Sequence, residues 1–116
     1  MAEEAQVIAC HTVQEWNEKF QKAKDSGKLI VIDFTASWCG PCRVITPYVS
    51  ELAKKFPHVA FFKVDVDDLK DVAEEYKVEA MPSFVILKEG QEVERIVGAR
   101  KDELLHKIAV HAPITA

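Results

Sequence analysis

Leu29-Ile30-Val31-Ile32-Asp33-Phe34 is an almost unbroken apolar run. A strand with one wet face alternates apolar and polar residues, whereas a continuous run marks a strand buried on both faces, as in a parallel sheet. The rest of the chain supplies the elements such a strand needs. Val7-Ile8-Ala9-Cys10 reads as a first strand. Thr12 with Glu15 has the spacing of a capping box, so a helix is predicted from Thr12, with Val13, Trp16, Phe20 and Ala23 on one face and a stop at Asp25-Ser26-Gly27. A second helix is predicted from about Gly40 to Phe56, interrupted and kinked at Pro47. Val59 to Val66 reads as a strand, and Leu69, Val72, Ala73 and Tyr76 as a short helix. Ser83–Leu87 and Glu92–Val97 flank Glu89-Gly90 as an antiparallel hairpin, and a last helix covers Lys101 to His111 with Pro113 just beyond. The order βαβαβαββα implies an α/β fold of three layers, with a central mixed sheet of about five strands and four helices on its two faces.

The length, 116 residues, fits one domain over residues 1–116. Apolar residues at 48% and charged residues at 29% are ordinary for a globular protein and exclude disorder as the main reading. A net charge of −4 argues against nucleic acid or an anionic membrane as partner, since either calls for a basic patch. No apolar run approaches the ~18 residues of a membrane span. Met1-Ala2-Glu3-Glu4-Ala5-Gln6 has neither the basic start and apolar stretch of a secretory signal nor the character of a transit peptide, so a cytoplasmic, reducing location is the expectation. Three cysteines do not make a disulfide framework, and a Cys-x-x-Cys pair in such a setting points to redox or metal chemistry.

Trp38-Cys39-Gly40-Pro41-Cys42 lies between the buried strand and the start of a helix. Helix starts carry unpaired N–H groups and the positive end of the macrodipole, which favour a thiolate, the form that attacks disulfides. Cys39 sits at that start. Cys42 is one turn on and on the same face, so the two can form a disulfide with little backbone change. Pro41 falls in the first turn, where a missing N–H is harmless, and Gly40 lets a partner's backbone come close. Asp33 is the one ionisable residue in its strand; burial should raise its pKa and let it exchange a proton near neutrality. Met81-Pro82 stands just before a strand, where proline is allowed.

Together, the strand followed by Trp-Cys-Gly-Pro-Cys, Asp33 upstream, Lys63 in the next strand, Met81-Pro82 and Val97-Gly98-Ala99 resemble the thioredoxin family across essentially the whole chain. The stretch from Glu3 through Thr12-Val13, Ala36-Ser37 and Ala80-Met81-Pro82 is similar to the h-type thioredoxins of plants. That resemblance implies a thiol–disulfide oxidoreductase with no bound cofactor, its redox group being a Cys39–Cys42 disulfide. It implies that Cys39 attacks, that Asp33 takes the proton of Cys42 through a water, that Lys63 modulates Asp33, and that Pro82 is cis and faces the dithiol. It implies a groove of Trp38, Gly40, Pro41, Ala80, Met81, Pro82, Gly98 and Ala99 for an extended target. The implied partners are a flavin-containing, NADPH-dependent thioredoxin reductase and disulfide-bearing proteins.

Other readings of these residues are plainer. A zinc site built on Cys39 and Cys42 needs two further ligands, which Cys10, His11, His58, His106 and His111 do not offer at usable spacing. A binding module of the same fold needs neither the cysteine pair nor Asp33. Lys63 could be a solvated strand residue. Trp16 reads as helix-face core, the histidines as surface residues, and the acidic helix from Asp67-Asp68 as a solvated face. Cys10 is either a small apolar group at the sheet margin or a partly exposed thiol able to link a dimer on oxidation; the protein is otherwise expected to be a monomer.

Overall fold

The apolar run folds as β2 (Ile30–Thr35), and every residue of it is buried. A computed structural model describes residues 7–112 and places β2 at the centre of a five-stranded sheet of order β1-β3-β2-β4-β5. The other strands are β1 (Val7–Cys10), β3 (Ala60–Asp65), β4 (Ser83–Lys88) and β5 (Gln91–Val97). β1, β3 and β2 run parallel, while β4 runs antiparallel to both β2 and β5. Because β2 has a neighbour on each edge and helices on each face, its side chains are packed in the interior of the protein. The register sets Asp33 opposite Lys63 on one side and Phe84 on the other.

Helices α2 (Gly40–Lys55) and α4 (Lys101–His111) cover one face, packing Ile45, Val49, Leu52, Leu104 and Ile108 against Val31, Phe61 and Phe84. Helices α1 (Val13–Asp25) and α3 (Lys70–Glu75) cover the other, where Trp16 stacks on Phe20 at 4.7 Å and meets Phe62 edge-on at 5.4 Å. The expected three layers, five strands and four helices are all present among the described residues. Pro113 and the Met1–Gln6 stretch lie outside them. No helix among the described residues is long and apolar enough to cross a membrane.

Three local details refine the sequence reading. Thr12 caps α1 as expected, its Oγ1 accepting from Glu15 N–H at 3.1 Å, but the Glu15 carboxylate closes the box on His11 N–H (2.9 Å), one residue upstream of the cap itself. α2 is not interrupted at Pro47: it continues for two further turns, because Val49, Leu52 and Ala53 beyond the proline are all buried. The β4–β5 turn carries Glu89 and Gly90 at φ 53° and 82°, the left-handed pair that matches the strand twist of a tight hairpin.

Burial decides between the two readings of Cys10. The residue is 1% exposed, within the cluster that holds Trp16, Phe62 and Val64, and burial raises the pKa of its thiol. Of the two readings of Cys10, the small apolar group at the sheet margin is the one the structure bears out; a disulfide from this sulfur needs that margin to open first. His111 also departs from a free surface role, since its Nε2 lies 3.0 Å from Glu94 Oε2 between α4 and β5.

Phe84 is fully buried beneath α2 and α4 and neighbours Asp33 across the sheet. Phe84→Ala should therefore lower the unfolding free energy by about 3–5 kcal/mol, read from denaturant melts. A loss below ~1 kcal/mol would mean that this face of the sheet is not packed as described.

Candidate active site

The site lies where β2 stops and α2 begins. After Thr35 the chain turns through Ala36-Ser37-Trp38, held by Cys39 N–H donating to Ala36 O at 3.1 Å and by Arg43 Nη1 donating to Ser37 O at 2.7 Å. Cys39 is the N-cap of α2, with extended backbone (φ −92°, ψ 113°). Its sulfur accepts the N–H of Cys42 at 3.2 Å, as a serine or aspartate oxygen does at ordinary helix starts. Pro41 occupies the first turn, where no donor is missed. Cys39 and Cys42 are joined as a disulfide with Cα atoms 5.3 Å apart. Both are buried, at 5% and 2%, so their difference lies in position on the helix rather than in exposure.

The predicted groove residues fall into three groups around this pair. Met81 O lies 3.7 Å from Cys39 Sγ, and Met81 and Val66 pack on the small cluster of Ala36, Cys39 and Cys42. The Met81–Pro82 bond is cis, and Pro82 O accepts from Gly98 N–H at 2.8 Å. Gly98 has φ 103°, a backbone that side chains rarely adopt, so this junction calls for glycine. Gly40, Pro41, Ala80 and Ala99 are exposed, and a Cβ built on Gly40 would meet nothing within 4 Å, leaving open space above it. Trp38 is 64% exposed, with its indole Nε1 donating to Asp67 Oδ2 at 2.9 Å.

Asp67 is a residue the sequence reading missed. The acidic stretch was expected to be a solvated helix face, but α3 starts only at Lys70, and Asp67 lies in the preceding turn, where it orients Trp38. Its partner is 29 residues away, so no local pattern announced it. Val44, 68% exposed and four residues after Gly40, adds an unpredicted apolar group on the helix face that Gly40 occupies.

Asp33 is 4% exposed, on the α2 side of β2 with Val31. Its Oδ1 has no hydrogen-bond partner. Burial pushes its pKa from the ordinary 3.8 up to about 7, against the partial pull of the Lys63 ammonium. Lys63 is half-buried and lines the same cleft, on the same side of the sheet, rather than projecting as a solvated strand residue. An unsatisfied carboxyl that titrates near neutrality can receive and release a proton.

Comparison with known proteins agrees with this geometry. The Thioredoxin family model matches residues 7–110. A thioredoxin H-type of Ricinus communis is 63% identical over 110 residues, covering 95% of this chain and 93% of that protein. Thioredoxin H5 of Arabidopsis thaliana is 60% identical over 116 residues, covering 100% of this chain and 98% of that one. The crystal structure of the thioredoxin NaTrxh from Nicotiana alata superposes with a TM-score of 0.89 at 50% identity, covering 92% of this chain and 93% of that one.

The buried carboxyl makes stability depend on pH with a definite sign. Below the unfolded pKa, ~3.9, Asp33 is neutral in both states and burial is harmless. Between there and about 7 only the unfolded chain ionises, so stability falls as pH rises; above about 7 the penalty is constant. At ~1.4 kcal/mol per pH unit that penalty reaches about 4 kcal/mol. Asp33→Asn removes it, so the stability gained should be about 2–3 kcal/mol larger at pH 8 than at pH 5 in denaturant melts. Equal gains at the two pH values would contradict the raised pKa.

Proposed function

Because the chain belongs to the thioredoxin family, we propose that it is a general dithiol reductant of protein disulfides, with Cys39 as the attacking sulfur and Cys42 as the resolving one. Family membership makes it a thiol–disulfide oxidoreductase, and its redox group is its own Cys39–Cys42 disulfide. The observation that carries the finer reading is the N-cap role of Cys39: the N–H that its sulfur accepts at 3.2 Å is a donor that stabilises negative charge there.

The cycle follows from that asymmetry. The Cys39 thiolate attacks a target disulfide; a Cys39–target S–S bond forms, the target S–S bond breaks, and one target sulfur leaves as thiolate. The Asp33 carboxylate then takes the proton of the Cys42 thiol through a water. The Cys42 thiolate attacks Cys39 Sγ, the Cys39–Cys42 bond forms, and the second target sulfur leaves. Two electrons have passed to the target. Lys63 supports the ionised form of Asp33. Trp38, Gly40, Pro41, Ala80, Met81, Pro82, Gly98 and Ala99 form the groove; the open space over Gly40 and the tie between Pro82 O and Gly98 N–H support this assignment. The backbone of Met81 beside Cys39 Sγ supports an extended target lying along it.

The reading extends to a monomer, residues 1–116 acting as one unit in the cytoplasm, that carries electrons from an NADPH-dependent thioredoxin reductase to disulfide-bearing proteins. The resemblance to plant h-type proteins at about 60% identity supports it. So does the buried, unpaired Cys10, which suits a reducing compartment.

Insulin-disulfide reduction driven by NADPH and reductase tests the assignment. Cys39→Ser should lower turnover by at least about a thousandfold, the scale of losing a covalent nucleophile. Cys42→Ser should instead accumulate a mixed disulfide with the target through Cys39, visible by mass spectrometry of the intact protein. Target trapped on Cys39→Ser and none on Cys42→Ser would reverse the two roles.

A further inference from the structure

Asp33 must take up and then release a proton in every turn of the cycle above, yet its side chain is buried and Oδ1 has no partner. A group so placed needs a connection to solvent. The structure has one in the cleft between β1, β3 and α2, which encloses about 260 Å³ and is lined by Ala9, Asp33, Thr46, Ser50 and Lys63 among others. Exposure rises along it. Asp33 is at the buried end, Thr46 and Lys63 are half-buried, and Ser50 and Ala9 are exposed.

The cleft is polar where water would have to be held. At ~30 Å³ per molecule it has room for several waters, and a buried water needs two to four polar partners. Thr46 and Ser50 are four residues apart on α2, so their hydroxyls lie one above the other on the face that overlies Asp33. Thr46 Oγ1 donates to Cys42 O at 2.8 Å. Its proton is thereby committed, and its lone pairs remain to accept from water. The same bond ties this hydroxyl to the backbone of the resolving cysteine.

The charges around Asp33 are few. Lys63 faces it from β3, and β4 presents the uncharged Phe84. β1 contributes Val7 and Ala9, and α2 contributes Thr46, Val49 and Ser50, none of them charged. Cys42, the titratable group on the first turn of α2, is the proton's source. No other ionisable side chain lines the cleft to replace the hydroxyls as a relay.

We propose that this cleft is the route by which Asp33 trades its proton with solvent, and that Thr46 and Ser50 are the positioning residues that order the water within it. In each cycle the carboxyl proton passes to a cleft water and then to bulk. Asp33 returns to carboxylate, ready for the thiol proton of Cys42, and no electron moves in this step. The inference rests on the reading of Asp33 as proton acceptor.

The test follows the Asp33 side-chain carboxyl by ¹³C NMR titration and, in parallel, the pH profile of insulin reduction. Thr46→Val with Ser50→Ala should raise the Asp33 midpoint by about half a pH unit or more, because the carboxylate loses hydration. Turnover between pH 7 and 8 should fall roughly three- to tenfold, a fraction of what a positioned acid–base group supplies. Thr46→Ser, which keeps the hydroxyl, should track wild type in both. Ser50→Ala alone changes an exposed residue and folds whatever Thr46→Val does; its midpoint should also rise. Wild-type midpoints in both Ser50→Ala and the double variant would overturn the route, as would Thr46→Ser behaving like Thr46→Val. Asp33→Asn separates the two levels: if it leaves the pH profile unchanged, the acceptor reading itself fails.

Discussion

The sulfur of Cys39 accepts the backbone N–H of Cys42 at 3.2 Å, and most of the site is arranged around that bond. A thiol is a poor hydrogen-bond acceptor and a thiolate a good one, so a helix that uses sulfur as its cap favours the reactive form. The cap holds its position because β2, buried from end to end, delivers the chain to the same point each time. Pro41 begins the helix without wasting a donor, and the buried residues Ile45, Val49 and Leu52 lock α2 to the sheet. The nucleophile is therefore held by the core rather than by a loop.

Asp33 is the opposing element. A carboxyl in the centre of an apolar strand lowers stability by up to about 4 kcal/mol at neutral pH, a large share of the ~5–15 kcal/mol that holds a small domain together. The burial that makes Asp33 unfavourable also brings its pKa to about 7, where it can take and return a proton at each turn. Lys63, opposite it in the register, offsets part of the penalty without neutralising the group.

Much of the fold was legible in the sequence because each element carries its own local signal. The unbroken run at 29–34 marked a strand covered on both faces, Thr12 and Glu15 marked a helix start, and Glu89-Gly90 marked a turn. The dithiol and Asp33 stood out because their residue types are unusual for their places. Features that depend on distant partners were not legible. The bond from Trp38 to Asp67 spans 29 residues, and Pro82 O meets Gly98 N–H only after β4 and β5 have paired. Proline at 47 predicts an interruption by its propensity, and the packing of Val49 and Leu52 beyond it outweighs that. Cys10 lacked a pattern able to separate a core sulfur from a surface one; its burial follows from the pairing of β1 with β3. Thr46 and Ser50 read as ordinary polar helix residues until the sheet put Asp33 beneath them.

Titration of Cys39 in the reduced protein tests the central claim most directly. The rate of alkylation by iodoacetamide is followed against pH, with the modified cysteine identified by mass spectrometry. Expected is a single reactive thiol at Cys39, half-ionised below the ~8.5 of a free cysteine, with Cys42 unmodified across the same range. A Cys39 that ionises at or above the free-cysteine value, or a Cys42 that reacts first, would show that the start of α2 does not activate the sulfur that caps it.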